Sequence, residues 1–230
     1  GSYGLINTFH SLGGKYKKFK YYGFFQYRRL EGWRQNSDQR QLSGFGSITY
    51  SPTKKWEIGL EYSALRNKIH MPGGLTDSLF NANPRQSPTE RNWLESPWNI
   101  LALKIKNQIN DKTSFSLVSS FLFSQRNLIW KNEDNWPNQP DTITPNLQYV
   151  PRELEREYFK STTHELRFLH NYNLGKYQQT FAGGVRFAYS HLVRQAGAQG
   201  TTGTNFDLTK LSNWEVNLTF KTINVSLFAE

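Results

Sequence analysis

Residues 179–194 read QTFAGGVRFAYSHLVR. Successive side chains of a β-strand point to opposite faces, so a strand shows its character in alternate residues. Phe181, Val185, Phe187, Tyr189 and Val193 fall on one face, while Thr180, Ala182, Gly184, Arg186, Ala188, Ser190 and Arg194 fall on the other. The first face is apolar and rich in rings. The second is small or charged.

The pattern recurs elsewhere in the chain. Thr113 to Arg126 sets Phe115, Leu117, Phe121 and Phe123 against Ser114, Ser116, Ser120, Ser124 and Arg126, and Trp56 to Ala64 sets Trp56, Ile58, Leu60 and Tyr62 against Glu57, Gly59, Glu61 and Ser63. A water-soluble β-sandwich alternates in the same way, so alternation alone leaves two architectures open. Composition narrows them. The 230 residues contain no cysteine, which excludes a disulfide framework and a thiolate metal site. No apolar run reaches the roughly 18 residues of a membrane-spanning helix. Aromatic residues make up 15% of the chain, yet mean hydropathy is low. A transmembrane β-barrel reconciles the two, because only alternate strand residues need be apolar and rings gather at the membrane interfaces.

Alternating runs predict about nine strands, near 2–12, 19–31, 41–50, 56–66, 98–109, 113–130, 157–173, 178–193 and 214–230. Their connections alternate in length. Short turns are expected at Gly13-Gly14-Lys15, Ser51-Pro52-Thr53, Asn110-Asp111-Lys112 and Leu174-Gly175-Lys176, and long loops over 32–40, 67–97, 131–156 and 194–213. Antiparallel strands reverse at every joint, so all the short turns lie at one end of the sheet and all the long loops at the other. Outer-membrane barrels are sorted in this way, with tight periplasmic turns and long extracellular loops. The fold expected is all-β: an antiparallel transmembrane β-barrel segment. In hydrocarbon a spanning sheet has to close on itself, and nine strands with two free edges do not close. Residues 1–230 are therefore expected to be one part of a larger barrel.

Four stretches carry a resemblance to a known family. Residues 71–93, MPGGLTDSLFNANPRQSPTERNW, resemble an extracellular loop of TonB-dependent outer-membrane receptors of the ferric-dicitrate type, in which a Met-Pro-Gly-Gly-Leu run precedes an Arg or Trp, Gln and Ser cluster. YRRLEGWRQNS at 27–37 is similar to the strand and short loop just upstream, and VPRELEREYFKSTTHELRFLHNYNLG at 150–175 and NVSLFAE at 224–230 follow in the family's order. The resemblance implies a barrel of about 22 strands around an N-terminal plug, importing a scarce ferric chelate with energy delivered by the TonB protein. The plug, and with it the TonB contact, falls outside these residues. Other implied partners are outer-membrane lipid and lipopolysaccharide. Neither a cofactor nor nucleic acid is expected.

A net charge of +10 suits an anionic partner. Arginine binds carboxylates through a planar fork and keeps its charge, so the ligand-binding candidates are Arg85, Gln86, Arg91, Arg152, Arg156 and Arg194. Their bland alternative is a loop-to-loop ion pair or a lipopolysaccharide phosphate contact. Arg186, lower on the same face as Arg194, is expected in the polar wall beside Glu165 or Glu61, and Gly73 and Gly74 are expected to serve the backbone. Trp93, Trp130, Trp136 and Tyr149 suit either stacking on a sugar or aryl ligand or packing within the loops. HELRFLH at 164–170 places its histidines six apart, which does not fit the i, i+4 spacing of a zinc helix. No nucleophile elbow, phosphate loop or paired-carboxylate site is present, so an enzyme is not expected. Other readings are a glycan or peptide importer of the same superfamily, a soluble carbohydrate-binding β-sandwich and a passive porin.

Overall fold

The computed structural model describes residues 1–131, 141 and 143–230. Nine strands are present among them: β1 (Ile6–Tyr16), β2 (Phe19–Leu30), β3 (Gln39–Tyr50), β4 (Trp56–His70), β5 (Trp93–Asn110), β6 (Thr113–Lys131), β7 (Arg152–Leu174), β8 (Tyr177–Gly197) and β9 (Val216–Ala229). One short helix, α1 (Asp77–Ala82), lies between β4 and β5. The strands form a single antiparallel sheet in chain order. Each strand thus pairs with its sequence neighbour, the simplest meander available to a chain of hairpins.

Register makes the alternation continuous from strand to strand. Phe187 lies opposite His164, Val185 opposite Leu166, Leu117 opposite Leu166, Ile105 opposite Leu117, Ile58 opposite Ile105, and Ile48 opposite Leu60. A one-residue slip at any hairpin would move a whole row to the other face. The result is one apolar face and one polar face. Nothing covers the apolar face: Phe181, Phe187 and Phe121 are 44%, 38% and 42% exposed. All nine strands belong to one sheet, so no second layer packs against these rings among the described residues. This overturns the β-sandwich reading, which needs two sheets sharing a dry interior. The buried hydrophobic residues among those described are Leu128, Ile129, Leu154 and Ala196, all toward the long-loop ends of their strands.

Connections are sorted as expected. Short ones at 17–18, 51–55, 111–112 and 175–176 alternate with long ones at 31–38, 71–92, 132–151 and 198–215. One turn is displaced. Gly13, Gly14 and Lys15 continue β1, paired with Tyr22, Tyr21 and Lys20, and the chain reverses at Lys17, whose φ is +51°. The glycines are in the strand because tyrosine rings cross them: a Cβ on Gly14 would lie 2.7 Å from the Tyr21 hydroxyl, and one on Gly13 3.0 Å from Tyr22 Cδ2. The first strand also starts later than expected, since Tyr3 and Gly4 are left-handed within a 3₁₀ turn over Ser2–Gly4.

Several strands extend further toward the long loops than polarity suggested. β4 continues to His70, and β5 begins at Trp93 and runs through Pro97. Pro97 has no N–H for the ladder. The pairing of β5 with β6 skips Ser96 and Pro97, and the Ser124 hydroxyl donates to the Pro97 carbonyl at 2.9 Å.

Candidate functional site

At the long-loop end the connections fold onto one another. Arg34, in the loop after β2, spreads its guanidinium over three carbonyls of the loop after β4: Nη1 donates to Gly73 at 2.8 Å, and Nε and Nη2 donate to Gln86 at 3.2 and 2.9 Å, with Pro72 at 3.4 Å. Burial lowers the Arg34 pKa. Asn36 Nδ2 donates to Thr89 O at 3.1 Å, and His70 bonds to Asp38 Oδ1 at 2.9 Å and to Glu90 O at 2.8 Å while stacking on Trp93. Gly73 has φ of +70°, the left-handed backbone that glycine accepts most readily. α1 is started by Thr76, whose hydroxyl accepts from the Leu79 amide at 3.3 Å. Thr-Asp before Leu-Phe was the sequence signal for this helix.

Arg91 and Arg152 lie side by side at the centre of the loops with no exposed surface. Arg152 donates to Thr201 O at 3.1 Å, Thr201 Oγ1 at 2.8 Å, Asn205 O at 2.8 Å and Arg91 O at 3.3 Å. Arg91 donates to Val150 O at 2.7 Å, approaches Asp141 Oδ1 at 3.4 Å, and lies over the Tyr149 ring at 4.5 Å. Desolvation, and then repulsion by Arg91, push the Arg152 pKa down to about 10. The Tyr149 hydroxyl donates to Glu90 Oε1, and that bond raises its pKa, with burial adding to it.

The remaining candidates are spread out. Arg85 is exposed, its guanidinium over the rings of Tyr3 and Trp33 at 5.7 and 6.0 Å. Gln86 Nε2 donates to Leu79 O at 2.5 Å. Arg156 points away from the polar face, donating to Leu208 O at 2.6 Å beside the Trp214 ring. Arg194 is on the polar face, where strand register places Arg126, Glu157 and Arg194 in one row. Arg194 reaches Glu155 at 3.2 Å and Glu157 at 3.8 Å, and Arg126 reaches the same carboxylates at 3.9 and 3.3 Å. The carboxylates are nearly enclosed, at 10% and 14% side-chain exposure, while the guanidiniums keep 44% and 42%. Five donors per guanidinium leave some free to meet a ligand from the open side. One step further from the loops along this face, Trp98 and Phe159 stack at 6.1 Å.

Arg126, Trp98 and Phe159 were not singled out from the sequence, because only register shows that they share a row or a level with Arg194. Arg186 lines a cavity of about 950 Å³ on the polar face toward the short turns, with Glu57, Lys106, Glu165 and Arg167. Its expected ion pair is not formed: Glu165 pairs with Arg167 along its own strand, and Glu61 with Lys104 at 2.7 Å. Residues two apart on a strand share a face, which brings Arg167 within reach of Glu165.

Of the aromatic candidates, Trp93 packs within the loops, donating from Nε1 to Thr204 O at 2.7 Å, and Trp130 lies opposite Glu153 near the top of β6. Trp136 lies outside the described residues. The two histidines of HELRFLH bond to hydroxyls, His164 to Ser119 and Thr162, and His170 to Thr113.

No family model matches the sequence, and neither does any curated protein. Solved structures do match. The ferric citrate transporter FecA in its unliganded form superposes with a TM-score of 0.79 at 14% identity, over 99% of this chain and 33% of that one. The ferric-catecholate import receptor Fiu from E. coli K12 gives 0.72 at 9% identity, over 99% and 40%. FpvA of P. aeruginosa bound to heterologous pyoverdines gives 0.70 at 11%, over 98% and 32%. The chain thus spans about a third of the length of such structures, and what it shares with them is the backbone fold, an antiparallel β-meander.

Proposed function

We propose that residues 1–230 form part of the barrel wall of a TonB-dependent receptor of the bacterial outer membrane, which imports a ferric chelate. The observation that carries this reading is the superposition of 99% of the chain on the ferric citrate transporter. The uncovered apolar face supports it, since Phe121, Phe181 and Phe187 suit hydrocarbon and no second layer among the described residues packs over them. On this reading the short turns face the periplasm and the long loops the outside. The plug and the remaining strands belong to other parts of the full chain, and contact with TonB depends on them.

The chelate is met by the half-exposed guanidiniums of Arg194 and Arg126, with Arg85 and Gln86 nearer the outer rim. Arg91, Arg152 and Arg156 hold the loops, because each donates to loop carbonyls, and Arg91 and Arg156 also lie against the Tyr149 and Trp214 rings. A ferric chelate of citrate or siderophore type brings an anion that competes with Glu155 and Glu157 for the two forks. The test is uptake of radiolabelled iron by cells carrying the full gene or its deletion, offered single chelates. Loss of uptake on deletion supports the reading; unchanged uptake and growth on every chelate tried contradicts it.

A glycan or peptide importer of the same superfamily is favoured by one observation, the Trp98–Phe159 stack on the polar face. In that case Trp98→Ala weakens binding more than Arg194→Gln does. A passive porin instead conducts ions after reconstitution with no energy source.

A further inference from the structure

The apolar face carries one hollow. Gly23 and Gly46 lie opposite each other on β2 and β3, and Gly44 follows on the same face. A Cβ on Gly46 would meet nothing within 4 Å. Leu12, Tyr21, Phe25, Ile48, Leu60 and Tyr62 rim a notch of about 650 Å³ over these glycines, within the range of about 300–1,000 Å³ that ligand pockets occupy. Tyr21 leaves the notch open because its ring lies across Gly14 toward β1.

The charge next to this notch is one-sided. No Asp or Glu occurs between Gly1 and Leu30 or between Gln39 and Trp56. The two turns below the notch carry Lys17 and Lys18, and Lys54 and Lys55. Three of these side chains lean onto neighbours at the turns, Lys17 over the Tyr16 ring at 5.2 Å, Lys18 to Pro52 O at 2.6 Å and Lys55 to Ile109 O at 3.3 Å, and Lys54 and Lys55 border the polar-face cavity with Glu57, which leaves Lys17 and Lys18 to the notch. The turn at 111–112, by contrast, pairs Asp111 with Lys112, and the turn at 175–176 has Lys176 alone. Between lysines and notch, Phe19 and Tyr50 stack at 4.7 Å, the level at which aromatic girdles meet the membrane interface. From Lys18 to Gly23 the strand rises about 16 Å, the order of length of a lipid tail.

We infer that the β1–β4 face binds an anionic glycerophospholipid of the periplasmic leaflet, with one acyl chain in the glycine notch and the phosphate between Lys17 and Lys18. The zwitterionic lipids around it lack the net charge that the lysines select. A lysine near an anionic surface is worth roughly fivefold in affinity, so the two together give a preference of more than about tenfold for the anionic headgroup. The inference rests on the membrane placement proposed above and is independent of the imported cargo.

Native mass spectrometry of the full chain, released from mild detergent with equal phosphatidylglycerol and phosphatidylethanolamine, tests it. The expected result is preferential retention of phosphatidylglycerol, reduced at least tenfold by a double Lys17→Gln, Lys18→Gln variant. Gly46→Leu, which fills the notch in open space, is expected to reduce retention with every lysine intact. Equal retention of the two lipids, or retention unchanged in both variants, overturns the site alone. A chain recovered folded in the soluble fraction overturns the site and the membrane placement together. Heat-modifiable migration on gels confirms that each variant is folded.

Discussion

Arg152 and Arg194 entered the candidate set on the same grounds, and their surroundings divide them. Arg152 is enclosed and donates to four loop acceptors, whereas Arg194 shares two carboxylates with Arg126 and keeps 44% of its side chain open. Arg194→Gln is expected to weaken chelate binding about tenfold, from the loss of a charge-assisted hydrogen bond, and to leave the midpoint of thermal unfolding nearly unchanged. Arg152→Gln is expected to cost about 3 kcal/mol of loop stability by leaving buried acceptors unpaired, read as faster proteolysis within 198–215. Asp207 supplies a pH-dependent readout in that loop. The Thr209 amide, 2.9 Å from Oδ1, is the main cause that holds its carboxyl below the usual value of 3.8. A depressed carboxylate stabilises the fold fully above its unfolded pKa and progressively less as the pH falls through the folded one. Protection of 198–215 from an acid-active protease should therefore fall below about pH 4, and Asp207→Asn should remove that dependence. The identity of these arginines was legible in the sequence. Their burial was not, because it depends on loops more than 50 positions away, as in Arg91 to Val150.

At the scale of single strands, alternation located all nine, because one row of each is rich in apolar side chains and the other in small or polar ones. It was silent at the upper ends, where polar residues such as His70, Glu95, Asn127 and Glu155 are buried beside apolar ones such as Ile129 and Leu154. Glycine punctuation also misled at Gly13-Gly14, since a glycine beneath an aromatic ring stays in a strand as readily as it makes a turn. The environments of the strand glycines predict different tolerances. A Cβ on Gly184 would lie 2.4 Å from the Leu166 carbonyl oxygen and 2.4 Å from Phe228 Cζ, whereas one on Gly46 meets open space. Gly184→Ala is expected to destabilise the β7–β8 hairpin by about 1–3 kcal/mol, and Gly46→Ala to change stability by less than about 0.5 kcal/mol. Urea unfolding of the two variants in detergent, followed by tryptophan fluorescence, measures the difference.

For the molecule as a whole, the sorting of short and long connections was the feature that sequence conveyed best, because each hairpin reverses the chain and leaves no freedom in which end a loop occupies. Strand register was not conveyed, and register is what assembles Arg126, Glu157 and Arg194 into one row and Gly23 and Gly46 into one notch. Both faces of the sheet follow from it: rings that no second layer among the described residues covers on one, and ion pairs such as Lys104 with Glu61 on the other. Residues 1–230 contain no cysteine, so single cysteines can be placed along 179–194 and spin-labelled in the full chain, any cysteine elsewhere in it replaced by serine, after reconstitution in bilayers. Collision with oxygen, which dissolves in hydrocarbon, and with a water-soluble nickel chelate should alternate with a period of two and in opposite phase, with position 187 open to oxygen and position 186 open to nickel. Shielding of position 187 from both reagents, as in a dry protein interior, would contradict the account.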